Sequence, residues 1–296
     1  VELLNHAIRE AGGPVNLVTT IDRPTIERAQ KLMVHPGINL LVVTGGSAVV
    51  KAAMQSGKRA ICAGPGNPPV VVDESADIEK AARSIVQGAS MDNNIICVLE
   101  KEIFVVDSVA DQLIAAFQHH NAIVLQPHEV TQIENLVFTN TKGLRKPGVI
   151  NKKYIGQNIQ KILGKIHKKV DDSIRLAVAP VPVGHPLVWT EQMLPVIPLV
   201  KMSNADQAID IAKEAEHGFR HTAIMHSKNL DNLSRMARIM DCSIFVKNGP
   251  SVAGLGHGGE GFCSFTIASP TGEGLTDPRD FSRERRCVLV DHFRIV

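Results

Sequence analysis

Apolar and polar positions alternate along this chain in two different rhythms. Near the N-terminus, apolar groups recur three or four residues apart, which predicts a helix carrying Leu3, Leu4, Ala7 and Ile8. Gly12-Gly13-Pro14 follows directly and is expected to end that helix. The run INLLVVTGG at residues 38–46 is continuously apolar, as in a strand buried inside a parallel sheet. Helical segments between such runs predict parallel βαβ units.

The same alternation predicts elements over most of the chain. Further strands are expected at NLVTTI (16–21), RAIC (59–62), VVVD (70–73), EIFVV (102–106), PLVKM (198–202), TAIMHS (222–227), SIFV (243–246) and a basic C-terminal RRCVLVDHF (285–293). Helices are expected at 23–35 with Pro24 near the first turn, 48–55, 77–90, from Asp107 or Ser108, 206–216 and 230–240. The pattern predicts an α/β protein of two blocks, with a hinge at the Pro/Gly stretch 63–69.

Composition narrows the class of protein without identifying it. With 296 residues, 44% of them apolar, the chain is long enough for two domains with cores of their own. A formal net charge of +2 gives no reason to expect nucleic acid or an anionic membrane as a partner. No apolar run reaches the roughly 20 residues that a membrane-spanning helix needs, and no signal peptide is recognisable. We therefore expect an ordinary soluble globular protein.

Cysteine and histidine spacing argues against disulfides and metal sites. The cysteines are scattered and form no C-x-x-C pair, at Cys62, Cys97, Cys242, Cys263 and Cys287. This usage favours a reducing compartment and predicts a cytoplasmic location. His217, His221 and His226 lie close together in sequence, but no carboxylate is placed to complete a set of three ligands. Structural histidines are favoured over metal ligands, and no metal is expected.

Two glycine clusters are candidates for phosphate binding. Thr44-Gly45-Gly46 ends a predicted strand and opens a helix, so backbone N–H groups and the helix dipole would face an anion there. Taken alone, an ordinary strand-to-helix turn is the more frequent explanation of such a motif. GLGHGG at 254–259 matches G-x-G-x-x-G, but the residues that follow predict a strand and offer no helix N-terminus. We reject the second cluster as a dinucleotide site.

The segment SMDNNIICVLEK (90–101) raises the question of what Cys97 does. The neighbouring isoleucines and Val98 suit a cysteine that acts as a small apolar core residue. The polar Asp-Asn-Asn turn suits a reactive thiol, because such a group needs access and N–H donors. The Cys97 backbone N–H could also donate to an oxyanion. From spacing alone, the two interpretations are about equally supported.

Longer motifs resemble the CoA-acylating branch of the aldehyde dehydrogenase superfamily. The resemblance rests above all on GNPPVVVD and NNxxCxxEK, and continues through TEQMLPVIPLV, HTAIMHS, SIFVKNGP, GLGHGGEG and SPTGEG. It implies an aldehyde dehydrogenase-like α/β fold with a partial Rossmann-type domain. It also implies a reversible reaction in which a short-chain aldehyde, NAD⁺ and CoA give acyl-CoA and NADH. The branch includes the acetaldehyde and propionaldehyde dehydrogenases of ethanolamine and propanediol utilisation.

The resemblance assigns roles to individual residues. It implies that Cys97 is the nucleophile, and that Thr44, Gly45 and Gly46 hold the nicotinamide dinucleotide. Glu191 would meet the nicotinamide ribose. Asn93 and Asn94 are candidates for shaping the cysteine loop, although they would serve equally well as caps of an ordinary turn.

An absent carboxylate separates two branches of the superfamily. Hydrolytic members carry a glutamate that activates water, and the position that aligns with it here holds Cys62. No Asp or Glu occurs between Arg59 and Val72. Without a base directed at water, a thioester on Cys97 should persist until a thiol such as CoA attacks it.

The resemblance also predicts domains, assembly and location. We expect residues 1–66 to be the C-terminal part of the NAD-binding domain, 67–265 the catalytic domain, and 266–296 a return segment with an oligomerisation strand. A homo-oligomer, dimer or tetramer, is expected, in the cytoplasm or inside a bacterial microcompartment. The family has a further N-terminal part, with one oxyanion donor, that is missing here. A catalytically silent fragment that acts only in assembly is therefore an alternative, and a hydrolytic aldehyde dehydrogenase is another.

Overall fold

The structure, a computed structural model, describes residues 1–290. Its α-helices are α1 Glu2–Glu10, α2 Ile26–Val34, α3 Ser47–Met54, α4 Ile78–Ser90, α5 Asp107–Phe117, α6 Pro127–Val137, α7 Ile159–Gly164, α8 Ala205–Ala215 and α9 Leu230–Met240. Short 3₁₀ helices span Met91–Asn94, Pro186–Trp189 and Ser251–Leu255.

The strands alternate with these helices along the chain. They are β1 Leu40–Thr44, β2 Arg59–Ala63, β3 Pro69–Val72, β4 Glu102–Val106, β5 Ala122–Val124, β6 Phe138–Asn140, β7 Val149–Ile150, β8 Leu176–Pro180, β9 Val196–Met202, β10 Thr222–His226, β11 Ile244–Lys247, β12 Ile267–Ala268 and β13 Gly274–Leu275.

The larger sheet forms the centre of the molecule. Its seven strands run parallel in the order β11-β10-β3-β4-β9-β8-β5. Side chains of a strand alternate between faces, so Val70 and Val72 pack with α4 while Val71 packs with α8. Because both faces are covered by helices, the strands read as the apolar runs seen in the sequence. The predicted α/β class is confirmed.

The smaller sheet has a much thinner core. β1 pairs only with β2 among the described residues, in parallel, and α3 covers one side of the pair. Leu41, Val50, Ala53 and Cys62 form its buried cluster. The prediction that 38–46 is a buried strand is half wrong, since β1 is parallel but Val42 is 52% exposed. An apolar run indicates that a strand can be buried, and a partner must be present to bury it.

Two predicted strands do not form in the described residues. The segment 16–21 is a loop, with Asn16 at φ 56° and the Val18 backbone bonded in both directions to the Asn5 amide. The described part of the C-terminal strand, 285–290, is irregular, and its apolar residues are exposed at Val288, Leu289 and Val290. No neighbouring strand of the described chain offers either segment a ladder of hydrogen bonds. Residues 291–293 of that prediction lie outside the described part.

Smaller differences concern helix starts and the middle of the chain. Thr25 caps α2 by accepting from Arg28 N–H, so α2 begins at Ile26 and not at residue 23, and Pro24 lies just before its first turn. α5 begins at Asp107 without a side-chain cap. The pattern gave no elements between residues 118 and 195, where β5, α6, α7 and β8 complete the sheet edge and its covering layer.

Candidate active site

The connection between the two sheets, residues 64–68, runs past the cysteine. It is extended and almost wholly buried, in contrast to the exposed linkers that usually join domains. Gly66 is the closest approach: a Cβ there would lie 2.5 Å from the Cys97 carbonyl oxygen and 3.1 Å from the His221 ring. Only glycine fits between these groups. The linker predicted as a hinge is thus also one wall around Cys97.

The loop before Cys97 has an unusual backbone that explains its sequence. Asp92, Asn93 and Asn94 are all left-handed, with φ of 44°, 51° and 65°. Asn and Asp tolerate this region better than other non-glycine residues. Three consecutive left-handed residues reverse the chain after α4 and bring Cys97 to the amino end of β4. The Asp-Asn-Asn turn is therefore required by the loop's shape.

The two asparagines also hold the loop through their side chains. Asn94 is buried, and its Nδ2 donates to the carbonyls of Ala89 at 2.8 Å and Glu100 at 2.9 Å. Asn93 Nδ2 donates to the Gly156 carbonyl at 3.0 Å and to Asn158 Oδ1 at 2.8 Å. Both amide N–H groups of Asn94 are thus committed to protein acceptors. These contacts are those of residues that shape the loop, one of the two roles left open by the sequence.

Lys101 completes the support of this loop. Its side chain is fully buried, and Nζ donates to Asn94 O at 2.8 Å, Asn94 Oδ1 at 2.6 Å and Ile96 O at 3.1 Å. Burial lowers the pKa of Lys101 to about 8, and nearby carboxylates, led by Glu191, oppose that shift. At neutral pH the ammonium is therefore still mostly charged.

Cys97 itself is half-buried, so part of the residue is exposed. Burial raises the pKa of the Cys97 thiol, and the Glu191 carboxylate raises it further. The Lys101 charge and hydrogen bonds from the N–H groups of Cys97 and Val98 lower that pKa. The resting thiol is consequently more protonated than the role of nucleophile, predicted from the sequence, requires. Its conversion to the thiolate depends on the balance of these opposing charges.

Glu191 faces the same space from the segment that precedes β9. Its Oε1 accepts a long hydrogen bond, 3.4 Å, from Gly66 N–H. Burial raises the pKa of Glu191, while the Lys101 charge lowers it. Among the described residues, Glu191 is the carboxylate whose charge acts on Cys97. The structure thus brings two of the predicted site residues together.

The other predicted residues lie at the end of β1 and the start of α3. Thr44 and Gly46 are exposed, and Gly46 caps α3 without a side-chain hydrogen bond. A Cβ on Gly46 would meet open space, whereas one on Gly45 would meet Val49 at 2.7 Å. The first N–H groups of α3 are therefore accessible to a phosphate, as a dinucleotide requires.

A cavity lies beside α3, between this helix and the segment around Phe219. It measures about 440 Å³ and is lined by Ser47, Val50, Lys51 and Met54 of α3 and by Phe219 of the segment before β10. An apolar wall with one lysine suits a nucleotide, which carries a flat base and negative phosphates. The residues present fit a dinucleotide at this end of β1.

Cys62, which the resemblance aligns with the base of hydrolytic members, is fully buried. Glu273 is far from Cys62 in the sequence but close to it in the structure, which the sequence alone could not show. Burial, and then the Glu273 charge, raises the pKa of Cys62. Thr271 Oγ1 ties these groups together, because it accepts from Cys62 N–H at 3.0 Å and donates to Glu273 Oε2. Glu273 is not among the groups that act on Cys97.

The clustered histidines serve as packing groups. His217 lies between Trp189 and Phe219, with ring centroids 6.1 Å and 5.6 Å away, and its Nε2 lies 2.9 Å from the Trp189 carbonyl. His221 and His226 are buried, and burial lowers the pKa of each to about 4. Within residues 1–290, no set of three His, Cys, Asp or Glu side chains could hold a metal ion. In the same range, no helix has the length and apolarity needed to cross a membrane.

Sequence reasoning missed the polar groups buried around the cysteine. Besides Lys101, it overlooked Glu100, which accepts from Ser251 N–H at 2.8 Å and Ser251 Oγ at 2.6 Å. The Glu-Lys pair of NNxxCxxEK was the available signal. Two charged residues directly before an apolar strand need polar partners if they are buried with it. Gly88 of α4 leaves room for the Glu100 carboxylate, because a Cβ at position 88 would collide with it.

These features are those of an aldehyde dehydrogenase. Residues 1–264 match the model of the aldehyde dehydrogenase family, and the chain belongs to that family.

Within the family, the chain is similar to acylating members. It is 51% identical over 297 aligned residues to an acetaldehyde dehydrogenase (acetylating), EutE, of Salmonella typhimurium, covering 100% of this chain and 63% of the relative. Two solved structures superpose with a TM-score of 0.92. One is a Rhodopseudomonas palustris propionaldehyde dehydrogenase with bound CoA and an acylated cysteine, at 48% identity, covering 97% of this chain and 64% of the other.

The second structure is a propionaldehyde dehydrogenase of the Clostridium phytofermentans fucose utilisation bacterial microcompartment. It is 41% identical and covers 99% of this chain and 66% of the other. The predicted resemblance to CoA-acylating aldehyde dehydrogenases is confirmed. The chain spans less than two thirds of the length of these relatives.

Proposed function

We propose that this chain carries the acyl-transfer centre of a CoA-acylating aldehyde dehydrogenase. The reaction is aldehyde + NAD⁺ + CoA to acyl-CoA + NADH + H⁺, and it runs in both directions. The observation that carries the proposal is Cys97, half-buried in a loop fixed by Asn93, Asn94 and Lys101. A nucleophile needs both access and a fixed position, and this loop provides both.

The chain's own residues account for the covalent steps. The Cys97 thiolate attacks the aldehyde carbon and forms a thiohemiacetal, whose oxygen is within reach of the Cys97 N–H. NAD⁺, when bound, would accept hydride from this carbon, and Cys97 would then hold an acyl thioester. The CoA thiolate attacks the thioester carbonyl and Cys97 departs as the leaving thiolate.

We propose that the end of β1 holds the dinucleotide. Thr44, Gly45 and Gly46 would present backbone N–H groups to its phosphates, and Glu191 would face the nicotinamide ribose beside Cys97. Support comes from the accessible start of α3 and from the Glu191 charge acting on Cys97. Under this proposal, residues 1–66 belong to the nucleotide-binding domain, 67–265 to the catalytic domain, and 266–296 to the return segment.

CoA dependence tests the proposed function. Protein is mixed with a short-chain aldehyde and NAD⁺, with and without CoA, and NADH absorbance is followed. We expect sustained turnover only with CoA, and without it a single equivalent of NADH with an acyl group on Cys97 by mass spectrometry. Equal turnover without CoA would support the hydrolytic alternative. No NADH, together with slow alkylation of Cys97, would support a silent fragment.

Assembly and location follow from the same proposal. The chain would form a dimer or tetramer in the cytoplasm, with a bacterial microcompartment as the more specific location. The microcompartment origin of the Clostridium relative supports this location. Light scattering at several concentrations measures the assembly, and co-fractionation with shells of purified microcompartments tests the location.

A further inference from the structure

The Lys101 ammonium donates all its hydrogen bonds to the segment that leads into Cys97. An ammonium has three N–H donors, and Nζ has three oxygen acceptors within 3.1 Å, all from Asn94 and Ile96. Lys101 is also among the largest fully buried side chains of the described residues. A lysine is almost never fully buried unless its charge is compensated, so this placement needs a reason.

The acceptors belong to a backbone that needs external support. Left-handed non-glycine residues are sparsely populated, and three in a row persist only where surrounding contacts fix them. Lys101 contacts the last of these residues through both its carbonyl and its amide oxygen. Removal of the ammonium would leave two buried oxygens of Asn94 and the partly buried Ile96 carbonyl without this donor.

The charges around Lys101 connect it to the reactive thiol. Glu191, Cys97, Glu102 and Glu100 act on the ammonium, in that order, and the ammonium in turn acts on His221. Seen from Cys97, Glu191 is the opposing negative charge and Lys101 the positive one. If an apolar residue filled this space, Cys97 would face Glu191 without the compensating positive charge, and only the N–H groups of Cys97 and Val98 would still favour the thiolate.

We propose that Lys101 is a positioning residue for Cys97, which holds the loop 94–96 in place and supplies the fixed positive charge that favours the thiolate. This inference rests on the proposed function, since it assumes that Cys97 is the nucleophile. A residue that only fills the core would not need three polar contacts on one loop, and an apolar side chain of equal length would avoid the cost of burying a charge.

The experiment follows Cys97 alkylation by iodoacetamide as a function of pH, with labelled Cys97 quantified by mass spectrometry. Lys101→Met removes donors and charge, whereas Lys101→Gln keeps two N–H donors without charge. Lys161→Met is the matched control, because Lys161 is exposed and bonds only to Gln157 among the described residues. Near-UV circular dichroism establishes that each variant is folded.

We expect both Lys101 variants to need a higher pH for the same labelling rate, with labelling at pH 7.5 reduced about tenfold or more. Lys161→Met should behave as the parent. A folded Lys101 variant whose labelling stays within about twofold of the parent at every pH overturns the proposal. Loss of the fold in both variants also overturns it, since Lys101 would then serve the core and not Cys97.

The alkylation assay needs no aldehyde, NAD⁺ or CoA. If the parent gives no CoA-dependent NADH, the proposed function fails while the labelling profile still decides the role of Lys101. If turnover is found and the profile is unchanged in the variants, the proposed function stands and the role of Lys101 is rejected.

Discussion

The two parallel sheets of this protein use the same βαβ unit and bury it to very different degrees. In the seven-stranded sheet, Val71 of β3 has no exposed surface, because α4 and α8 cover the two faces. In the two-stranded sheet, Val42 of β1 is about half exposed. The loop that carries Cys97 belongs to the first region, and the proposed dinucleotide turn belongs to the second. Thus the covalent chemistry has a rigid support, while the cofactor turn lies on a thin one.

The largest effect is expected at Cys97 itself. Cys97→Ala should lower CoA-dependent turnover at least about a thousandfold and remove the acyl adduct, because the covalent route has no other thiol in place. Cys242→Ala is the matched control, since Cys242 is also half-buried and donates its thiol to the Ile244 carbonyl. Steady-state NADH rates and intact-protein mass spectrometry measure both. Retained turnover in Cys97→Ala would contradict the mechanism.

Two asparagines with a left-handed backbone, one from each region, allow a direct comparison of how strongly the surrounding structure stabilises that backbone. Asn94→Ala should lower the free energy of unfolding by about 3 kcal/mol, from backbone strain and from buried groups left unpaired. Asn16→Ala has the same backbone conformation at φ 56° but is exposed. Its expected cost is only about 1 kcal/mol. Equal losses in urea titrations would contradict the difference drawn between the regions.

The buried Glu100 carboxyl, which lies beside the larger sheet, should make the free energy of unfolding depend on pH. Burial raises the pKa of Glu100 to about 7, above the value of about 4.3 in an unfolded chain. The folded state therefore holds this proton longer, and the stability it contributes is present at acidic pH and lost as pH rises to about 7. Glu100→Gln removes this loss and should gain about 2 to 3 kcal/mol relative to the parent between pH 4 and 8.

Glu129 provides a control with the opposite sign. Its hydrogen bonds to Lys168 Nζ and Gln126 N–H outweigh burial and lower the pKa of its carboxyl. The stability from Glu129 is therefore present above its unfolded pKa and lost as pH falls. Glu129→Gln should lose stability relative to the parent as pH rises. Thermal unfolding at several pH values tests both variants, and parallel behaviour of the two would exclude this assignment of charges.

The smallest effects on stability are expected from the same Val→Thr substitution made once in each sheet. Val71→Thr places a hydroxyl in a fully buried position and should cost about 2 kcal/mol. Val42→Thr changes a half-exposed position and should stay within about 0.5 kcal/mol. Chemical denaturation measures both, and a large cost at Val42 would show that β1 is covered in solution.

Sequence reasoning succeeded where a local pattern determines the outcome. The alternation of βα units and the apolar strands of the larger sheet are confirmed, because helices on both faces make each strand a continuous apolar run. It failed for 16–21, where β-branched residues suggested a strand and no neighbouring strand exists among the described residues. It also overestimated the burial of β1. In each case the missing information was which segments lie side by side.

The site was predictable only in part for the same reason. One motif identified Cys97, Asn93 and Asn94, a second identified Glu191, and the structure brings all four around one loop and its facing wall. The roles of these residues stay predictions. Lys101 was within the same motif, but only the fold reveals that its ammonium points back at the loop. The Glu273 charge near Cys62 comes from a segment more than two hundred positions away, which no local pattern encodes.

The buried crossing at Gly66 has a mechanical consequence. The backbone there touches the Cys97 carbonyl and the His221 ring with no room for a methyl group, and it is continuous with β2 on one side and β3 on the other. Because the linker packs against that peptide, a shift of the smaller sheet would displace the backbone beside the Cys97 carbonyl.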